Sequence, residues 1–600
     1  LGGFGGTGVV STIKDTSTTE SFVNRVSLTT NSSANIYARS YVGATFVDGS
    51  LAVGGAGVGA TIAVGIFDGT TNAYIAGSSL DIGGQLSTES RAFEDINVIV
   101  VSGAGGAVGV TGAVSAMNIT SDTSSWIGSS SGVNSDVTAA ANVLVKASSR
   151  TDTNQSSTGL VGSASLGAAG FGASVDVTTI ASDTQAYIGS GSIVTTNGQG
   201  DVDVIADVDR NLKSNVMAFA GGGLAGVSGA VSVINVGVAV KDDTDSDEAI
   251  GETQSMLNDA LVGSDASDQE QYSFSAGSTD VAERVSAAAD SQDIDFDLKP
   301  SEIGGTSAYI DDGATVTSAR DLNVTSTENI DIDTISGNAS VGGMAGIGGS
   351  VGIVSIESQT LAYVGADATL TADNDINIGA EYINDIDVQA YGGAAGAVGL
   401  GAQVAIVEDN SNQYAFFEDG TSNETGVLIA DAKNVSLESS ADRDISTKAK
   451  GVAAGMLAAG ASIGSVTVGG DSSAYLGEYA NVGNSSEVNN LSIDVQNNLI
   501  VDQEIWTVSA GIGAGSGNDA KVKYSSKAHA FIDDHSNIRL SDELLVRAVV
   551  TPYISSKITG VSAGGFTVGV SLVDVVIEPN LLAAIGDSVN ITADSIVIEA

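Results

Sequence analysis

The chain has 600 residues, and its 72 aspartates and glutamates against 22 lysines and arginines give a formal net charge of −50 at pH 7. A surface this acidic repels the phosphate backbone of nucleic acids and anionic membrane surfaces, so the charge argues against both as partners. Cysteine is absent, which excludes a disulfide scaffold and a thiolate metal site, and the 3 prolines suit a chain that is mostly strand.

The first residues, Leu1-Gly2-Gly3-Phe4, contain neither an initiator methionine nor the basic start of a signal peptide. We therefore expect a processed chain or a fragment of a longer protein.

A short aromatic element recurs along the whole chain, usually as a small residue, an aromatic ring and an aliphatic residue. Its central positions are Phe22, Tyr74, Trp126, Tyr187, Tyr309, Tyr363, Phe416, Tyr475, Phe531 and the degenerate Ala584. The spacing stays close to 55 residues, except for a gap about twice as long between Tyr187 and Tyr309. A nearly fixed period of this size predicts a stacked repeat architecture.

Each repeat contains four or five short runs with the alternation of a half-buried strand, such as Asn374–Ile378 and Asn384–Val388. The runs keep a similar order from copy to copy. The sequence therefore predicts an all-β fold, a parallel β-solenoid of about ten repeats in which equivalent residues form ladders. One repeat is expected to supply two turns of about 27 residues, or three shorter ones.

Glycine-rich segments such as Gly392–Val407 follow these runs in most copies. In one of them, Val216 to Val240 carries no charge and is long enough to span a bilayer. Because the equivalent segments are mostly shorter and alternate glycine with β-branched residues, we expect buried strands that approach another backbone closely. No membrane span is predicted.

The long gap in the repeat implies an insertion of roughly 65 residues, placed at Lys241–Ile303. The insertion is strongly acidic and has apolar residues at helical spacing, so it is expected to be partly helical. The predicted organisation is solenoid repeats over 1–240, the insertion over 241–303 and further repeats over 304–600. A binding loop and a solvated loop both fit this composition.

Two clusters in the insertion bring together carboxylates, the hard oxygen ligands that suit Ca²⁺. The candidate ligands are Asp242, Asp243, Asp245, Asp247, Glu248, Asp293, Asp295 and Asp297. The first cluster lacks the glycine and the final glutamate of an EF-hand loop, and a solvated acidic surface is the alternative. Pairs of aspartates in the repeats, such as Asp331 and Asp333, should share one face of a strand and repel their stacked equivalents unless neutralised.

Catalysis is not predicted. The two histidines, His529 and His535, lie on either side of Phe531 without partners at a spacing typical of a catalytic or metal site. Polysaccharide-acting β-helix enzymes remain an alternative, but they need basic groups, and the basic residues here are scattered.

The recurring pattern of an aromatic Ala-Tyr-Ile-Gly element, an Asp-x-x-Val strand and a glycine-rich segment resembles the repeats of giant bacterial secreted adhesins. These include leukotoxin-like filamentous adhesins and related β-strand-repeat proteins. The resemblance covers the whole chain except Lys241–Ile303. It implies export from a bacterium, and a place at the cell surface or outside the cell.

The expected function is therefore an extracellular structural or adhesive filament that forms by end-to-end stacking, either of copies or within a longer chain. The alternative is a rod-like stalk that presents a binding tip to a carbohydrate or a host protein.

Overall fold

The computed structural model describes residues 3–153, 160–237, 305–422 and 426–600, and in these ranges the regular structure is β-strand. The strands form in-register parallel ladders that run the length of the chain, which confirms the predicted β-solenoid. The predicted insertion lies outside the described residues.

One repeat makes one turn of the solenoid, because each aromatic element pairs with the same element of the next repeat. Phe22 pairs with Tyr74, and Tyr74 with Trp126. The prediction of two or three turns per repeat is therefore wrong. The runs Asn374–Ile378 and Asn384–Val388 are likewise parts of one continuous strand, Asp375–Ala395.

A turn contains four strands, which we name in chain order the aromatic, short, long and return strands. The aromatic strands are Thr18–Asn24, Thr70–Ala76, Asp122–Gly128, Thr184–Ile188, Gly305–Ile310, Gln359–Val364, Asn412–Phe417, Asp471–Leu476, Lys527–Ile532 and Asn580–Ile585. The short strands are Ser27–Thr30, Ser79–Ile82, Asp136–Ala139, Ile193–Thr196, Thr315–Ser318, Thr369–Ala372, Leu428–Asp431, Asn481–Val482, Asn537–Arg539 and Asn590–Thr592.

The long and return strands form the broad part of each turn. The long strands are Ala34–Val53, Leu86–Gly105, Val143–Asp152, Leu322–Gly342, Asp375–Ala395, Asn434–Ala454, Asn490–Ala510, Glu543–Ala563 and Ser595–Glu599. The return strands are Phe4–Asp15, Ala56–Phe67, Val108–Ile119, Ala345–Ile356, Val398–Asp409, Leu457–Val468, Gly513–Tyr524 and Phe566–Ile577. The elements Leu160–Ile180 and Val202–Val236 each run through a long and a return strand.

Two hydrophobic cores run side by side along the stack. The first lies between the aromatic strands, the short strands and the first half of the long strands, and it includes the ladder Ile75, Ile127 and Ile188. The second lies between the second half of the long strands and the return strands. Side chains of each strand point alternately inward and outward, so every second residue points into a core.

The glycine-rich segments form the tip, where a long strand reverses into its return strand. A Cβ added to Gly226 would lie 2.5 Å from the carbonyl oxygen of Val341, and one added to Gly346 would lie 2.3 Å from that of Ala395. Because only glycine lets the two layers come this close, the predicted close backbone approach is confirmed.

The uncharged segment that begins at Val216 belongs, as far as Val236, to the strand Val202–Val236. The described ranges contain no helix with the length and apolar character of a membrane span.

A buried polar seam separates the two cores, formed by Arg210, Glu328, Tyr382, Asp409 and Arg443. Arg210 pairs with Glu328, and the Nε of Arg443 donates to Oδ2 of Asp409 at 2.8 Å. Buried charges are tolerated only when they are paired and hydrogen-bonded, and both guanidinium groups of the seam have a carboxylate partner.

The stack is broad for its height. A long strand of 21 residues spans roughly 65–70 Å at about 3.3 Å per residue, whereas ten turns at about 4.8 Å rise by roughly 45 Å. The described part of the chain is therefore a slab, broader than it is tall.

Candidate functional site

A column of nine stacked rings follows the outward face of the aromatic strands. Neighbouring ring centroids lie between 4.5 Å (Tyr74 and Trp126) and 5.8 Å (Trp126 and Tyr187) apart, and the planes are nearly parallel. Each ring covers the face of the next, so the column presents ring edges to solvent. Sugar rings stack on aromatic faces, and the column therefore offers a carbohydrate few contacts of that kind.

An acidic corner follows the aromatic column, at the turn into the short strand. The third residue of this turn has a left-handed backbone in successive repeats, as at Asp367 (φ 59°), Tyr479 (φ 60°) and His535 (φ 60°). The carboxylates gathered there belong to Asp311, Asp312, Asp367, Glu418, Asp419, Glu478, Asp533, Asp534 and Asp587.

Several corner carboxylates hydrogen-bond the backbone of a neighbouring turn. The N–H of Glu478 donates to Oδ1 of Asp419 at 3.0 Å, and that of Ser190 donates to Oδ2 of Asp311 at 3.2 Å. These contacts tie one turn to the next, so the carboxylates have a structural role without any ligand.

Three corner residues are also arranged so that they could hold a metal ion. Carboxylate oxygens of Glu478, Asp533 and Asp534 lie within 4.8 Å of one another, and all three residues are half-buried. Oxygen ligands of this kind suit Ca²⁺.

The eight calcium ligands predicted from the sequence lie outside the described residues, so that site stays a prediction. Sequence reasoning missed the corner group, although a signal was present. An acidic residue follows the aromatic element within three positions in most of the later repeats, for example in Phe531-Ile532-Asp533-Asp534.

The aspartate pairs of the repeats form columns on the outward face of the long strands, as predicted. Asp331 is directly paired with Asp385, and Asp333 with Asp387. Burial, followed by the neighbouring Asp385 carboxylate, raises the pKa of Asp331 above its usual value. Lysine reduces this repulsion, because Nζ of Lys448 lies 3.3 Å from both carboxylate oxygens of Asp387.

The two histidines occupy different environments. His529 lies on the outward face of an aromatic strand, and His535 stacks on the ring of Tyr479 with centroids 4.9 Å apart. His529 belongs to a ladder and His535 to the turn that follows the aromatic strand, and the expectation that neither histidine is catalytic stays a prediction.

Asp176 makes stability depend on pH. The side chain lies in the second core and accepts a hydrogen bond from Ser214, and burial raises its pKa from 3.8 to about 6. Between these two pH values the folded chain binds more protons than the unfolded chain, so stability should fall as the pH rises. Above pH 6 the whole contribution of Asp176 to stability should be lost. We expect a loss of roughly 2–3 kcal/mol between pH 4 and pH 7 from this residue.

Denaturation midpoints measured across this pH range would check the expectation. The Asp176→Asn variant should flatten the profile, whereas the exposed control Asp519→Asn should leave it unchanged. If stability of the Asp176→Asn variant depended on pH in the same way as that of the unsubstituted chain, Asp176 would not be the cause of the dependence.

Comparisons with protein-family models, curated proteins and solved structures find no match for this chain. The site is therefore interpreted from its own geometry alone.

Proposed function

We propose that the chain is an extracellular structural or adhesive filament protein that extends by stacking turn upon turn. The observation that supports this most directly is the set of parallel ladders, in which each turn of the described residues pairs with the next, with local register shifts only at Gly167–Ala169 and Leu370–Thr371. Such a structure has no built-in limit to its length, because the top of one turn matches the bottom of another.

The two end turns of the described chain leave their outer strand edges without a partner in these ranges. Apolar side chains of the second core that are covered inside the stack are exposed there. Val573 and Val575 of the last return strand are 51% and 42% exposed, whereas their ladder partners Ala520 and Val522 are 0% exposed. Unpaired edges of this kind template the addition of further strands.

We expect electron microscopy of the purified chain to show filaments roughly 65–70 Å wide, the span of a long strand. Each copy should contribute about 45 Å of length. Isolated slabs would instead support a section of a larger adhesin. Loss of the filaments in a chelator would make calcium part of the joint.

A matched pair of variants tests whether growth uses the strand ends. Val573 and Leu572 are neighbours in the last return strand and are 51% and 59% exposed. Val573 pairs with the buried Ala520 and continues the second core, so Val573→Asp should stop growth by placing a charge in the next interface. Leu572 points outward, so Leu572→Asp should leave growth intact. Equal filament formation by both variants would contradict end-to-end stacking.

A further inference from the structure

Part of the outward side of the return strands is a broad surface without charge, which we name the outer return face. It covers the first five outward positions of seven successive turns, from Ala56, Val58, Ala60, Ile62 and Val64 to Leu457, Ala459, Ala461, Ile463 and Ser465. Every one of these positions holds Ala, Val, Ile, Leu, Phe, Gly or Ser. A chain with a net charge of −50 thus keeps this part of its surface free of ionisable groups, and charges return beyond it, at Glu408 and at Asp519, Lys521 and Lys523 of the adjoining turn.

The orientation of this surface follows from the core. Ala63 and Phe67 of the first of these strands lie in the second core, so the alternate residues point away from it. Val58 is 47% exposed and Leu457 is 60% exposed, while residues nearer the middle of the face are half-buried or buried because their ladder neighbours flank them. Among the described residues, no strand packs on the outer return face as a second layer.

The face has the size of a stable protein interface. Nine residues span eight intervals of about 3.3 Å along a strand, and seven turns span six intervals of about 4.8 Å, which gives a flat area of roughly 750 Å². A typical stable interface buries about 800 Å² on each partner. Soluble monomers rarely expose contiguous apolar patches beyond a few hundred Å².

The distribution of charge indicates which partner the outer return face binds. The opposite broad surface carries the aspartate columns that include Asp331, Asp385 and Asp444, and the acidic corner lies beyond the first core. Two copies that met through those surfaces would bring like charges together. Two copies that meet through the outer return face keep their carboxylates on the outside of the pair.

The shape of the outer return face also suits a second copy of the chain. In-register columns such as Val227, Ile347 and Leu400 give a ridged, flat surface. Two such sheets pack with their strand directions nearly aligned, and their apolar side chains interdigitate.

From these observations we propose that the outer return face binds the same face of a second copy of this chain, forming a two-fold pair of slabs. A pair of this kind closes at two copies because each copy uses the same surface. It differs from end-to-end stacking, which continues without limit, and it goes beyond the proposed function by adding lateral association.

Cross-linking through single introduced cysteines tests this pairing, because the chain has no cysteine of its own. Gly229 on the outer return face and Gly393 on the opposite broad surface both have open space where a Cβ would be added. Gly229→Cys and Gly393→Cys are therefore matched, and both would carry Val573→Asp so that the ends do not grow. A short bis-maleimide should link Gly229→Cys into dimers and leave Gly393→Cys monomeric.

Light scattering during size-exclusion chromatography provides the second measurement. The Val573→Asp chain should be a dimer at micromolar concentration, and the dimer should persist in chelator and strengthen with salt as like-charge repulsion is screened. Adding Val231→Lys, Ile347→Lys and Val404→Lys should weaken the dimer at least 100-fold. Folding of each variant is checked by circular dichroism.

Three results would overturn the proposal: a monomer at all concentrations, equal linking of both cysteine variants, or a dimer unaffected by the three lysines. Binding of the chain to neutral phosphatidylcholine vesicles that the lysines abolish, without a dimer, would assign the face to a lipid surface and equally overturn the pairing.

Discussion

Replacing Arg443 with methionine is expected to destabilise the chain by about 3–5 kcal/mol, because it leaves a buried carboxylate without its partner. The side chains of Arg443 and Asp409 are 1% and 0% exposed. The Nη2 of Arg443 also donates to the backbone oxygen of Ser411 at 3.1 Å, and its guanidinium lies 5.1 Å from the ring centroid of Tyr382. The substitution removes all of these interactions while keeping the apolar bulk.

A surface ion pair between neighbouring turns provides the control. Arg539 and Glu487 are also paired between neighbouring turns, but their side chains are 43% and 50% exposed. Arg539→Met should cost at most about 1 kcal/mol. Denaturant unfolding, together with hydrogen exchange of the two turns concerned, would compare the variants. Similar small losses for both would show that the seam contributes little.

Replacing Gly226 with valine is expected to cost about 3 kcal/mol or more, because the side chain has no space between the two layers of the tip. Its Cβ would lie 2.5 Å from the carbonyl oxygen of Val341 and 2.7 Å from that of Ala220. These are backbone atoms, so relief requires the long and return strands to separate. The damage should extend to the adjoining turns, since each turn is stabilised by its neighbours.

Gly229, three residues along the same strand, has nothing within 4 Å of an added Cβ and serves as the control. Gly229→Val should be neutral or slightly stabilising, because valine favours strands and glycine does not. Thermal unfolding would separate the two variants. A neutral result for Gly226→Val would mean that the tip can widen to accept a side chain; alanine, as Ala458, already occupies the equivalent position of a later turn.

The repeat, the strand class and the ladders could be predicted from the sequence because each depends on local alternation and on period. The number of turns per repeat could not. Alternation identifies strands without showing which strand each one stacks on, and a strand of 21 residues is far longer than the usual 5–6. Asn384-Asp385 has the composition of a turn, yet Asn384 is buried and hydrogen-bonds Asp409 at 2.7 Å.

The acidic corner was missed for a related reason. Glu478 is 55 residues from Asp533 in the chain, and the two come together only because successive turns stack in register, with left-handed residues at Tyr479 and His535. The densest local runs of aspartate and glutamate lie in the predicted insertion, and the calcium site was therefore predicted there.

The breadth of each turn determines what this fold is suited to build. About 53 residues advance the stack by about 4.8 Å, which is close to 0.1 Å per residue, against about 1.5 Å per residue for an α-helix. A protein that only had to hold a tip away from a cell could reach the same distance with far less chain. The extra residues build area instead, because each turn adds to two wide walls with different chemistry.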